Sequence, residues 1–280
     1  MGLPQQSSLP GEIWAVIPAA GTGSRMAAGR PKQYLPLNGE PLLMHTLRRL
    51  ASHPRINNMV VVVSADDDRF TDIDLSGINA MLDAPLISVP GGTTRSESVA
   101  SGLQAIIRRG TTEDQPWVMV HDAARPCVRH DDIDKLVQQV AADADGEGGL
   151  LSAEVTDTLW QHDDQQRCLQ TLPRDQLRRA LTPQLFPLTR LQAALIQCHA
   201  EKFQPTDEAE AMCHAGYRPL LVLGNPDNIK VTRMGDLELA TLYLRRQAEQ
   251  ELPTTRRVEV VVADRSVEGA EMSSEPTRQP

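Results

Sequence analysis

Residues 18–34 bring together the groups best suited to do chemistry. Pro18-Ala19-Ala20-Gly21-Thr22-Gly23-Ser24-Arg25-Met26 follow an apolar run, Ile13-Trp14-Ala15-Val16-Ile17, and lead on to Pro31-Lys32-Gln33-Tyr34. Gly21 and Gly23 let backbone N–H groups approach oxygens that a Cβ would block, while Arg25 and Lys32 place two cations seven residues apart. Such a loop can wrap phosphates and neutralise a triphosphate as it reacts. Neither common phosphate motif accounts for it. The dinucleotide fingerprint needs a third glycine where Met26 stands, and the Walker loop needs Gly-Lys-Ser/Thr, which is absent.

Other chemically capable residues also stand just after apolar runs. Gly91-Gly92-Thr93-Thr94-Arg95-Ser96-Glu97-Ser98 has capping-box spacing at Thr94 and Glu97. It reads both as an ordinary helix entry and as an anion or base-edge site whose glycines permit close backbone contact. Asp122, in His121-Asp122-Ala123-Ala124-Arg125-Pro126, follows the run Trp117-Val118-Met119-Val120 directly. A carboxylate there suits Mg²⁺, with a turn or helix cap as the alternative. Mg²⁺ favours few carboxylates plus phosphate oxygens, so a second acid is expected, and Asp227 in Gly224-Asn225-Pro226-Asp227-Asn228-Ile229-Lys230-Val231-Thr232 is the candidate. Lys230 sits between two apolar residues, a context in which an ammonium usually turns to solvent. The Gly-Asn-Pro turn and the nearby Asp227 favour a site lysine instead.

These residues need a scaffold, and the apolar pattern supplies one. Strand-like runs at 13–17, 59–64, 86–89, 117–121, 149–155 and 220–223 alternate with helical patterns at 41–52, 95–109, 131–142, 188–199 and 235–250. Leu43, Leu47 and Leu50 form one helical stripe, and Pro41 and the Asp131-Asp132 pair stand where helix starts favour them. The expected fold is α/β, a doubly wound and mostly parallel sheet, in which ligands bind beyond the carboxyl ends of the strands. One domain over residues 12–250 is expected. Residues 251–280 are rich in Thr, Arg, Glu, Ser and Pro and read as a flexible tail, in which the short 258–263 apolar run is the alternative for an edge strand. Residues 156–173 break the alternation and read as a protruding hairpin turning at 162–166. Either it finds a partner for its apolar side, as in a dimer, or it is a mobile surface loop.

Composition limits the function. The 280 residues carry a formal charge of −9 with 3% aromatics, which argues against a nucleic-acid surface and leaves an anionic small substrate open. In an acidic chain, a cluster of Arg and Lys has to be assembled by the fold. Cys127, Cys168, Cys198 and Cys213 make no Cys-x-x-Cys pair and suggest neither a zinc knuckle nor a disulfide framework. No run of about eighteen apolar residues appears and the first eleven residues are polar, so a cytoplasmic protein without membrane contact is expected.

Taken together, the 18–26 and 31–34 motifs, Val120 to Pro126, Leu181-Thr182-Pro183-Gln184, Thr206-Asp207-Glu208-Ala209 and Asp227 to Thr232 resemble the 2-C-methyl-D-erythritol 4-phosphate cytidylyltransferases, in family order over about residues 13–245. The first motif alone is shared by many sugar and polyol nucleotidyltransferases. The set of five is specific.

The resemblance implies a Rossmann-like nucleotidyltransferase fold with a β-arm for dimerisation. It implies transfer of CMP from CTP to methylerythritol phosphate, release of pyrophosphate, and a place in non-mevalonate isoprenoid precursor synthesis. The substrate phosphate attacks the α-phosphorus in line, with no covalent enzyme intermediate. By resemblance, Arg25 and Lys32 stabilise the transition state as the catalytic pair, and Arg174 and Lys230 position the acceptor with Thr158 and Arg125. Ala19, Ala20, Gly21, Gly23, Gly92, Ser98, Asp122 and Ala123 bind the nucleotide, with Mg²⁺ as cofactor on Asp122 and Asp227. Thr158 and Arg174, on the arm and its return, complete the neighbour's site in a homodimer with exchanged arms. Thr93 departs from relatives that carry an acid there. His121 is assigned to packing or hydrogen bonding, because a phosphate monoester is already ionised and needs no base. Two rivals remain: a cytidylyltransferase for another polyol phosphate such as ribitol 5-phosphate, and a catalytically silent nucleotide-binding regulator.

Overall fold

A computed structural model describes residues 9, 11–21, 31–111 and 115–251. Gly23, Arg25 and the tail beyond Glu251 lie outside the described residues. The strands are β1 (Ile13–Pro18), β2 (Pro36–Leu37), β3 (Glu40–Pro41), β4 (Asn58–Val63), β5 (Ile87–Pro90), β6 (Trp117–Val120), β7 (Gly149–Glu154), β8 (Leu159–His162), β9 (Cys168–Leu172), β10 (Arg178–Pro187) and β11 (Leu220–Leu223). The helices are α1 (Leu42–Ala51), α2 (Asp68–Thr71), α3 (Ser76–Asn79), α4 (Arg95–Arg109), α5 (His130–Ala142), α6 (Leu188–Ala200), α7 (Glu208–His214) and α8 (Gly235–Glu251).

Seven strands form one sheet in the order β11-β7-β10-β6-β1-β4-β5. Every pairing is parallel except the two made by β10, which runs antiparallel between β6 and β7. The doubly wound, mostly parallel expectation therefore holds. Alternation along the central strands builds two cores. Ile13, Ala15, Ile17, Met59, Val61 and Met119 join Leu43, Leu47 and Leu50 of α1 and Ile133, Leu136 and Val137 of α5 on one face. Trp14, Val16, Val60, Val62, Val118 and Val120 join Val99, Leu103 and Ile106 of α4 and Leu191 and Leu195 of α6 on the other. Gly102 lets α4 lie close on the sheet, since a Cβ there would fall 2.7 Å from Val16 Cγ1.

Sequence pattern did not reveal β10. Its ten residues open on Arg178-Arg179 and contain Pro183 and Pro187, a poor pattern for an interior strand. The register shift between Ala180 and Gln184 explains the tolerance, because it places Pro183, which has no N–H, where the ladder to β7 is already broken. Short α7 was missed as well.

The 156–173 segment is indeed a hairpin. β8 and β9 pair only with each other and are exposed along their whole length. Leu159, Trp160, Leu169 and Leu172 are 37%, 56%, 58% and 38% exposed, which leaves an apolar arm without cover in the single chain.

Candidate active site

A cleft of about 400 Å³ opens at the carboxyl ends of β1, β5 and β6. Ala19, Ala20 and Gly21 form its floor where β1 ends. The Ala19 N–H donates to the Val62 carbonyl at 2.7 Å, and its own carbonyl accepts from Gln33 Nε2 at 2.7 Å. Gln33 is buried, so this bond fixes the short 3₁₀ turn that presents Lys32 to the cleft. Tyr34 anchors the other side of the turn by donating to Asp67 Oδ2 at 2.7 Å.

The second wall is the entry to α4. A Cβ on Gly91 would lie 2.6 Å from that of Ala20, so glycine is what allows the two loops to touch. The helix-entry reading is realised, and the same segment borders the cleft. Thr94 and Glu97 make the capping box, and Gly92, Thr93, Thr94, Arg95 and Ser98 line the cleft. The Glu97 carboxylate accepts from the Thr93 N–H and hydroxyl, both at 2.7 Å, and from the Thr94 N–H at 3.2 Å. Thr93 thus commits its hydroxyl to Glu97.

Asp122 and Ala123 form the third wall. Asp122 Oδ2 lies 3.0 Å from Lys230 Nζ and accepts from Arg125 Nε at 3.2 Å, while Oδ1 accepts from Arg95 at 3.4 Å. Burial works against this carboxylate, yet Arg95, Lys230 and Arg125 outweigh it and hold its pKa far below the usual range. Arg95 also makes a two-pronged contact with buried Glu208, at 2.6 and 3.0 Å. Burial pushes the Glu208 pKa up, with Arg95 opposing. The loop carrying Lys230 is tied to Asp122's own turn: Arg125 Nη1 donates to the Asn228 carbonyl at 2.8 Å and the Val231 N–H to the Ala124 carbonyl at 2.8 Å. Thr182 Oγ1 accepts from the Asp122 N–H at 3.0 Å and meets His121 Nδ1 at 2.9 Å, and His121 Nε2 lies 2.9 Å from the Arg125 carbonyl. His121 is fully buried with both ring nitrogens engaged, and burial lowers its pKa to about 4. Packing and hydrogen bonding, not base chemistry, describe its surroundings.

The expected site residues therefore divide. Ala19, Ala20, Gly21, Lys32, Gly92, Ser98, Asp122, Ala123 and Lys230 meet at the cleft. Arg125 does not line the cleft: the Asp122–Arg125 turn folds its side chain back, 10% exposed, so that it braces Asp122 from behind. Asp227 likewise does not line the cleft. Its Oδ2 accepts from Arg129 Nε at 2.9 Å and from Gln247 Nε2 at 3.3 Å, fastening α8 to the body away from the cleft lining. Thr158 and Arg174 stay on the arm, where Arg174 Nη1 donates to the Thr156 carbonyl at 2.6 Å, and neither lines this cleft. Thr182, Arg95 and Glu208 were not singled out from spacing, although all three fall in or beside quoted motifs.

With Asp227 elsewhere, Asp122 is the one acid among the described residues lining the cleft. No cluster of three or more His, Cys, Asp or Glu among the described residues forms a metal cage. Three cations already share Asp122, so a divalent ion fits here only if phosphate oxygens and water supply most of its ligands.

Comparison with known proteins gives the family. Residues 13–246 match the family described as 2-C-methyl-D-erythritol 4-phosphate cytidylyltransferase. The chain belongs to that family. It is 47% identical over 234 residues to the Haemophilus influenzae (strain PittGG) 2-C-methyl-D-erythritol 4-phosphate cytidylyltransferase, covering 84% of this chain and 97% of the relative. Identity to the Aliivibrio fischeri (strain ATCC 700601 / ES114) protein of the same name is 43% over 242 residues, covering 86% and 97%. Among solved structures, a 4-diphosphocytidyl-2C-methyl-D-erythritol synthase superposes with a TM-score of 0.70 at 32% identity over 85% of this chain and 100% of that one. The Francisella tularensis cytidylyltransferase gives 0.69 at 32% over 83% and 99%. The family match begins at β1 and ends within α8, so it takes in every described cleft residue.

Proposed function

We propose that this chain transfers CMP from CTP to 2-C-methyl-D-erythritol 4-phosphate, forming 4-diphosphocytidyl-2-C-methyl-D-erythritol and pyrophosphate on the route to isoprenoid precursors. The observation that carries this reading is the convergence of Lys32, Lys230, Arg95 and Asp122 on one cleft in a chain of this family. The nucleotide lies over Ala19 to Gly21, with its base against Gly92 and Ser98. Lys32, with Arg25 seven residues before it in the sequence, gathers the charge that builds on the phosphates, and Lys230 draws the acceptor phosphate toward the α-phosphorus. The ionised acceptor attacks without a base, so no proton has to move at the attacking oxygen. Asp122, together with phosphate oxygens and water, would hold Mg²⁺, which would screen the negative charge of the triphosphate. The acceptor half is completed by Thr158 and Arg174 from a second copy, because the arm exposes an apolar stripe and carries both residues away from its own cleft.

A pyrophosphate-release assay with CTP, Mg²⁺ and a panel of polyol phosphates tests the reaction. Turnover of methylerythritol phosphate is expected, and turnover of ribitol 5-phosphate alone would overturn the acceptor. Lys32→Ala is expected to lower kcat by about 100-fold or more while CTP affinity falls only a few fold. Equal losses in both would make Lys32 a ground-state binder.

A further inference from the structure

Glu208 is a carboxylate with only 1% of its side chain exposed, and it takes no place in the cleft lining. Its neighbours hold it firmly. Asp207 caps α7 by accepting from the Glu210 N–H at 2.9 Å, and Asp207 Oδ2 accepts from Gln184 Nε2 at 3.0 Å. Gln184 Oε1 in turn accepts from the Ala209 N–H at 2.8 Å. Residues on both sides of Glu208 are thus fastened to β10, the strand next to β6 and Asp122.

The distances around Arg95 are unequal. Its guanidinium meets Glu208 at 2.6 and 3.0 Å but reaches Asp122 Oδ1 only at 3.4 Å. A fork offered two carboxylates has gone to the one that accepts it bidentately. Asp122 thereby keeps its other oxygen for Lys230 at 3.0 Å and Arg125 at 3.2 Å.

We propose that Glu208 is a positioning residue for the reaction: by holding Arg95 it decides how Asp122 is shared among three cations, and so where Lys230 meets the acceptor phosphate. This rests on the proposed function in taking Lys230 as the acceptor's anchor. Without the Glu208 charge, Arg95 closes on Asp122 and competes with Lys230 for it, moving the ammonium from its place. The nucleotide floor at Ala19 to Gly21 is built by other bonds and is unaffected.

Steady-state kinetics of Glu208→Gln and Glu208→Asp test this. Glu208→Gln is expected to raise KM for the acceptor about tenfold and leave KM for CTP within about twofold. Glu208→Asp keeps the charge on a shorter arm and is expected to give a smaller rise, which also guards against a Gln variant that fails to fold. Adding Lys230→Met to either variant should raise acceptor KM less than it does in wild type, since the two residues act on one contact. Wild-type acceptor KM in both variants would overturn the proposal, including where the apparent kcat falls in step with the folded fraction. If wild-type protein turns over neither substrate, the proposed function fails instead. Urea unfolding of the same single and double variants then tests the Glu208 assignment alone. Unfolding constants that depart from additivity by about fivefold support it, and additive ones overturn it.

Discussion

Asp122 concentrates the electrostatics of the cleft in a single side chain, and its position was legible because it directly follows an apolar strand. Which cations share it was not. Arg125 stands three residues away and looked like a substrate contact, but a tight turn sends it inward, whereas Arg95, 27 positions away, reaches Asp122 from another loop. His121, next in the chain to Asp122, makes a pH prediction. Its pKa falls from 6.5 to about 4 on folding because burial disfavours the charged ring. Between those values the unfolded chain binds a proton that the folded chain refuses, so stability drops as pH falls from about 6.5 to 4. This residue alone contributes about 3 kcal/mol to that drop. Buried His53, also lowered to about 4 by burial, adds a change of the same sign. Urea unfolding at pH 7 and pH 4.5 should show the loss, and an unchanged midpoint would contradict the buried neutral imidazoles.

Among the elements, α4 was readable because Thr94 and Glu97 are a local signal that opens it. The same cap shapes the cleft, because Glu97 holds the N–H groups of Thr93 and Thr94. Thr94→Ala is expected to cost about 1 kcal/mol in urea unfolding and to raise KM for CTP several fold. A stability loss with no change in KM would separate the cap from the nucleotide wall. Strand β10 was unreadable for the opposite reason. Its prolines and arginines contradict the pattern of an interior strand, and only the register break and the neighbours on both sides make the placement favourable.

For the whole molecule, the single chain leaves two facts side by side: an exposed apolar arm and a cleft that Thr158 and Arg174 of the same chain do not reach. The proposed arm exchange between two copies would join them, and subunit mixing tests it. Lys230→Ala and Arg174→Ala should each be nearly inactive alone. Mixed in equal amounts after dissociation, they should recover about a quarter of wild-type activity, because random pairing restores one site in each heterodimer. No recovery would place both residues in one chain's site. No helix among the described residues is long and apolar enough to cross a membrane. The sequence by itself determined the alternation of strands and helices, the motifs at the strand ends and the family, because each is written in spacing along a few consecutive residues. Only the tertiary structure decided that Arg95 pairs with Glu208, 113 positions away, that Arg125 faces inward and that Asp227 fastens α8. The physical reason is that such contacts depend on the order and direction of strands in the sheet, and no local periodicity encodes that order.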